Sequence, residues 1–148
     1  MKAYDNLGLT LDALGEPQHA VEAFRRAIEL NEQLKTISRW PYLNLGEILL
    51  RQNQYSESIS YFQKALDIDP NWAKARTNLG KAILKAGRIH EAKTQFLEAI
   101  RLDPASSEAH YQLGQLYRNV GEIEASQQQL RIFQELKGKA APNNLSDP

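Results

Sequence analysis

The sequence contains no cysteine, which removes disulfides, thiolate zinc sites and cysteine nucleophiles together. It has no surplus of either charge: lysine plus arginine and aspartate plus glutamate each number 18. No global field therefore favours nucleic acid or an anionic membrane. No apolar run approaches the roughly 18 residues of a membrane-spanning helix. The N-terminal stretch MKAYDNLGLTLDALG is amphipathic and lacks the charged-then-apolar order of a signal peptide. Histidine is scarce and scattered. His19, His90 and His110 show no metal-ligand spacing, and His90-Glu91 opens like a zinc-protease helix but lacks the second histidine. Neither a nucleophile elbow nor a phosphate-binding glycine loop is present. These absences point away from an enzyme, from any cofactor or metal, and from a nucleic-acid or membrane partner. They point to a soluble chain and leave the compartment unassigned.

What the sequence does contain is a repeat. In the stretch from Ala73 to Ser106 the landmarks are Leu79-Gly80, Gly87, Ala92, Phe96, Ala99 and Pro104. Stepping 34 residues downstream finds Leu113-Gly114, Gly121, Ser126, Leu130 and Phe133, and 34 upstream finds Leu45-Gly46, Asn53, Ser58, Phe62, Ala65 and Pro70. A further 38 upstream lie Leu7-Gly8, Gly15, Ala20, Phe24 and Ala27. Copies at this period predict an all-α solenoid of helical hairpins, eight helices in all, in which each repeat touches only its neighbours.

The predicted units are residues 1–34, 39–72, 73–106 and 107–140, with an insertion at 35–38 and a flexible tail at 141–148. Within the first unit Leu7, Leu11 and Leu14 share a helical face, Gly15 ends that helix and Pro17 suits the first turn of the next. Glu32 stands where later copies carry Pro70 and Pro104, so the second helix of this unit should run a turn longer. Pro41 must fall in a first turn, because deeper in a helix it would cost about 3 kcal/mol, and Trp40 before it is pushed toward extended geometry. The insertion predicts a wider or tilted junction between the first two units. In the second unit Leu45, Ile48 and Leu49 are expected to face Ile59, Phe62, Ala65 and Leu66. Asn53 takes the glycine slot as the next most tolerant residue for positive φ, and the serine pair Ser106-Ser107 suits an N-cap. Gly8, Gly46, Gly80 and Gly114 mark close helix crossings, opposite Ala20, Ser58, Ala92 and Ser126. A mid-helix glycine costs about 0.5–1 kcal/mol relative to alanine, which four repetitions justify only if the contact demands it.

These landmarks resemble the tetratricopeptide repeat over residues 1–140. The aromatic-x-x-Leu-Gly pattern and its sequel are filled by Tyr4/Leu7/Gly8/Leu11/Ala20/Phe24/Ala27 and by Tyr42/Leu45/Gly46/Leu49/Phe62/Ala65/Pro70. Arg76 and His110 depart from the aromatic slot, His110 being expected as a packed imidazole, and Phe133 replaces the small alanine of the last copy. The resemblance implies a right-handed superhelix whose first helices line a concave face, and a protein-interaction module that holds an extended peptide there. The exposed side of each first helix then supplies the partner-binding residues. Asn6, Asn44, Asn78 and Gln112, each just before Leu-Gly, form an amide ladder similar to the asparagine ladder of O-GlcNAc transferase repeats. A carboxamide can pair with a peptide unit through both donor and acceptor. Beside it lie Trp40, Leu43, Glu47, Arg51, Lys74, Lys81, Lys85, Tyr111 and Arg118.

Apolar groups among basic ones suggest a protein or peptide partner that is acidic and carries one or two apolar anchors. The carboxylate clamp of co-chaperone repeats is disfavoured: its slots hold Asp5, Leu9, Asn44, Lys74 and Asn78, and only Asn44 and Lys74 match. The first helix has an unpartnered face including Ala3, Thr10 and Leu14, whereas the last helix is polar outside. This suggests a fragment from the C-terminal side of a longer protein or, alternatively, end-to-end self-association through the N-terminal helix. A substrate-recruiting piece of a larger enzyme, such as a glycosyltransferase, is the other functional expectation.

Overall fold

The computed structural model describes residues 2–140, so the expectation of a flexible tail at 141–148 lies outside the described residues. Within them the chain forms eight α-helices: α1 (Lys2–Ala13), α2 (Pro17–Leu34), α3 (Trp40–Arg51), α4 (Tyr55–Ile68), α5 (Ala73–Lys85), α6 (Ile89–Leu102), α7 (Ser107–Asn119) and α8 (Ile123–Ala140). The tightest packing is within the hairpins α1–α2, α3–α4, α5–α6 and α7–α8. Each second helix then packs on the following first helix. Contacts reach no further than consecutive first helices, α1–α3, α3–α5 and α5–α7. This nearest-neighbour pattern is that of a solenoid.

Local sequence explains the punctuation. Asn53 adopts φ +61° in the slot where Gly15, Gly87 and Gly121 lie at +77° to +85°. Ser106 caps α7, its hydroxyl accepting from the Ala109 amide at 3.3 Å. Pro17 and Pro41 sit in first turns. Trp40 is itself the first residue of α3, a correction to the extended geometry expected before Pro41.

The close crossings are real, but their nearest neighbours are aromatic. A Cβ on Gly8, Gly46 or Gly80 would come within 2.7, 2.6 or 2.5 Å of the ring of Phe24, Phe62 or Phe96. On Gly114 it would meet Leu130 at 2.8 Å. The small residue one turn earlier helps in the second hairpin, where buried Ser58 donates to the Gly46 carbonyl at 2.9 Å.

Two core clusters result. Leu45, Ile48 and Leu49 pack with Ala20, Phe24 and Ile28 of α2. Ile59, Phe62, Ala65 and Leu66 cluster with Leu43 and with Ala75, Leu79 and Ile83 of α5. Leu45, Ile48 and Leu49 therefore also pack on α2, a contact beyond the α4 one expected, because each first helix is wedged between the preceding second helix and its own.

The two residues that break the aromatic slot are equivalent to each other. Arg76 donates to the Pro70 carbonyl through Nε (3.2 Å) and Nη2 (3.0 Å), and to the Gln95 amide oxygen at 3.2 Å. His110, 34 positions later and buried, pairs Nε2 with the Pro104 carbonyl at 2.8 Å and Nδ1 with the Gln129 amide at 2.7 Å. Each ties the turn before its own helix to the second helix of its hairpin, so a polar group keeps the place of an aromatic ring by satisfying every partner.

The insertion does lengthen α2, to 18 residues against 14 in α4 and α6. Across the insertion α2 meets α3 about as extensively as α6 meets α7 and less extensively than α4 meets α5. Lys35 turns left-handed at φ +52° and the loop folds back on α2. Asn31, buried, donates from Nδ2 to the Ser38 carbonyl at 3.1 Å and accepts from the Thr36 hydroxyl at 3.3 Å.

Candidate partner-binding groove

The concave face is lined by first helices, and a depression lies where α1, α3 and the insertion meet. It encloses about 850 Å³. Asn6, Trp40, Asn44, Glu47 and Lys74, five of the residues expected from sequence, line it. Asp5 and Leu9 from α1 and Ile37, Ser38 and Arg39 from the insertion and its edge complete much of the wall. The insertion's contribution was missed by sequence reading, which gave it only an effect on the junction between the first two repeats. The signal available was Ile37, an aliphatic residue in a polar loop; it is 82% exposed.

One wall is aromatic and fixed. Trp40 and Trp72 meet edge to face with ring centroids 4.9 Å apart, a favoured arrangement of ring quadrupoles. The Arg39 guanidinium lies 4.2 Å from the Trp72 centroid and pairs with Asp69. Trp40 remains 47% exposed toward the groove.

The expected site residues do not behave as one set. Leu43 is a correction: it is fully buried in the core between the second and third hairpins, because that side of α3 faces α5 rather than solvent. The amide ladder divides. Asn6, exposed, and Asn44, itself 9% exposed, line the groove with no side-chain hydrogen bond among the described residues. Asn78 is largely buried and donates to Glu47 at 2.7 Å, and Gln112 donates to Glu108 at 2.9 Å. Tyr111 packs against Phe133, centroids 5.1 Å apart.

The basic residues divide too. Arg51 grips both oxygens of Asp12 at 2.6 and 2.7 Å, Lys74 lies 3.5 Å from Glu47, and Lys81 lies 3.3 Å from Glu108. These pairs link α1 to α3, α3 to α5 and α5 to α7 in turn. Each contributes only about 0–1 kcal/mol at the surface, but together they occupy charges that a ligand would otherwise meet. Lys85 and Arg118 carry no ion pair among the described residues, which also hold no group of three or more histidine, cysteine or acidic residues placed to bind a metal. No helix among them is long and apolar enough to cross a membrane.

Paired antiparallel helices stacked into a superhelix with a lined concave face define an α-solenoid interaction scaffold. Three family models, each described as a tetratricopeptide repeat, match residues 1–34, 37–105 and 96–128. The chain belongs to the tetratricopeptide repeat family, whose domains are protein–protein interaction modules. It is 34% identical over 65 residues to human tetratricopeptide repeat protein 6, a match covering 44% of this chain and only 12% of the human protein's length. Among solved structures it is similar to MamA residues 41-end from Desulfovibrio magneticus RS-1 (TM-score 0.81, 21% identity, 93% of this chain and 76% of that one). It is also similar to TTC0263, a tetratricopeptide protein from Thermus thermophilus (TM-score 0.80, 20% identity, 93% and 74%). At these identities the likeness concerns the fold, a right-handed tetratricopeptide solenoid.

Proposed function

We propose that this chain is a non-catalytic interaction module that holds an extended peptide segment in the groove between α1 and α3. The observation that carries this reading is the pairing of two unengaged carboxamides, Asn6 and Asn44, with the exposed face of Trp40 in one depression. The amides suit peptide main chain, and Trp40 suits an apolar anchor. Acidic residues of the partner are directed to the other end, toward Lys85 and Arg118, since Arg51, Lys74 and Lys81 are already paired with neighbouring helices. The test is binding to a random-peptide array by the wild-type protein and by Asn44→Ala, with circular dichroism confirming that both are folded. Loss of the array signal in the folded variant is expected. Signal that survives at full strength would move the site off the groove.

A second reading concerns α1. Its Tyr4, Leu7 and Leu11 are the counterparts of Tyr42, Leu45 and Leu49, the latter two covered almost completely by α2, yet Leu7 is 45% exposed. The outer side of α8 offers Gln127, Arg131 and Gln134, none of them apolar, and so does not complement it. Two copies meeting α1 to α1 would bury the apolar stripe, at about 25 cal/mol per Å². Sedimentation should then show concentration-dependent dimers that Leu7→Glu abolishes; a wild-type protein that stays monomeric at every concentration contradicts this.

A further inference from the structure

At the end of the groove farthest from Lys85 and Arg118, α1 carries a carboxylate with an unusual environment. Asp5 occupies the position that Leu43, Thr77 and Tyr111 hold in the later hairpins, where Leu43 and Thr77 are buried against the next first helix. Asp5 Oδ1 is shut off from solvent and has no hydrogen-bond partner among the described residues. Burial pushes its pKa up, against the weaker opposite pull of the chain's amino terminus. The side chain as a whole is only partly buried, but an oxygen withdrawn from water without a donor costs free energy that a partner would recover.

The other acidic groups lining the groove have partners already. Glu47 accepts from Asn78 and faces Lys74, and Asp69 holds Arg39. Lys2, also on the groove wall, is exposed and makes no pair with Asp5. Asp5 is therefore the one acidic group on this wall whose partner the described residues do not supply. Trp40, on the same depression, keeps half its surface open, and an indole face is the best aromatic surface for a cation. Arg39 against Trp72 shows the same chemistry satisfied within the chain.

We propose that this end of the groove is a subsite for a basic side chain of the bound peptide, its ammonium or guanidinium held by Asp5 and its stem lying on Trp40. The inference rests on the peptide-groove reading and gives the partner a polarity: basic residue at α1, acidic residues toward α5 and α7.

The test uses blocked tripeptides Ala-Arg-Ala, Ala-Glu-Ala and Ala-Leu-Ala, titrated into the Trp72→Phe protein so that Trp40 is the only indole. The Arg peptide should quench or shift Trp40 emission in a saturable way, while the Glu and Leu peptides bind far more weakly. Asp5→Asn, the same size without the charge, should weaken the Arg peptide by about tenfold or more and leave the Leu peptide unchanged. No Trp40 response to the Arg peptide overturns the proposal. So does an equal response from Asp5→Asn or an equal response to all three peptides. The array result with Asn44→Ala reports on the groove separately, so either idea can fail alone.

Discussion

Replacing Gly80 with alanine is expected to destabilise the protein by about 1–3 kcal/mol, although in an ordinary helix the same change stabilises by about 0.5–1 kcal/mol. The reversal comes from one ring. A Cβ at position 80 would lie 2.5 Å from Phe96 Cε1 and 2.8 Å from Cδ1. Phe96 is fully buried between α5, α6 and α7 and has no space to retreat into. Truncating the ring alone, Phe96→Ala, should cost about 3–5 kcal/mol as lost burial and a cavity. In that background the clash is gone, so adding Gly80→Ala should be neutral or stabilising. The double-mutant cycle must then show strong coupling of a stated sign. Gly138, helical with nothing within 4 Å of a Cβ, is the control and should tolerate alanine without loss. Urea unfolding of the four variants measures all of this. If Gly80→Ala costs the same with and without Phe96, the close crossing is not what demands glycine there.

Leu43→Ala should cost about 2–5 kcal/mol, the range for emptying a buried leucine site. Leu43 is fully buried among Phe62, Leu66, Leu79 and their neighbours, at the joint between the second and third hairpins. A cavity there weakens an interface between repeats, and in a solenoid that also threatens cooperativity. Unfolding should therefore broaden or split into two steps in addition to moving to lower denaturant. The sequence-based placement of Leu43 on the partner-binding face demands the opposite: unchanged stability and weakened peptide binding. Measuring denaturation and array binding on the same variant separates them, and a variant of native stability would restore Leu43 to the groove.

The repeat itself was legible because it is written in local terms. Leu-Gly pairs, turn residues and the small residue of each second helix recur at a near-fixed step, and each follows from steric limits within one hairpin. Asn53 at positive φ, Pro41 in a first turn, the Ser106 cap and the longer α2 could all be read without coordinates. Even Arg76 and His110 were recognised as occupants of an aromatic slot. Their shared partners, a proline carbonyl and a glutamine amide, were visible only in space.

The concave face was less legible, for a geometric reason. A helical wheel separates a buried side from an exposed one, but a first helix here has three surroundings: its own hairpin, the preceding second helix, and the next first helix. Leu43 lies on the side that superhelical stacking turns toward a neighbour, and Asn44 and Asn78 are both buried beside the groove, where Glu47 engages only Asn78. The same stacking brings Asp12 to Arg51, Glu47 to Lys74 and Glu108 to Lys81, pairs whose spacing in the chain follows no helical period.

By itself, then, the sequence determined the architecture: eight helices and four close crossings, consequences of short-range patterning repeated at a near-constant interval, with the concave face of first helices implied by the family resemblance. Only the tertiary structure decided which residues on that face remain available. The angle between successive hairpins sets who neutralises whom, folds the insertion back through Asn31 to wall the groove, and leaves one oxygen of Asp5 without a donor among the described residues. Those outcomes depend on distances between segments that no local preference encodes.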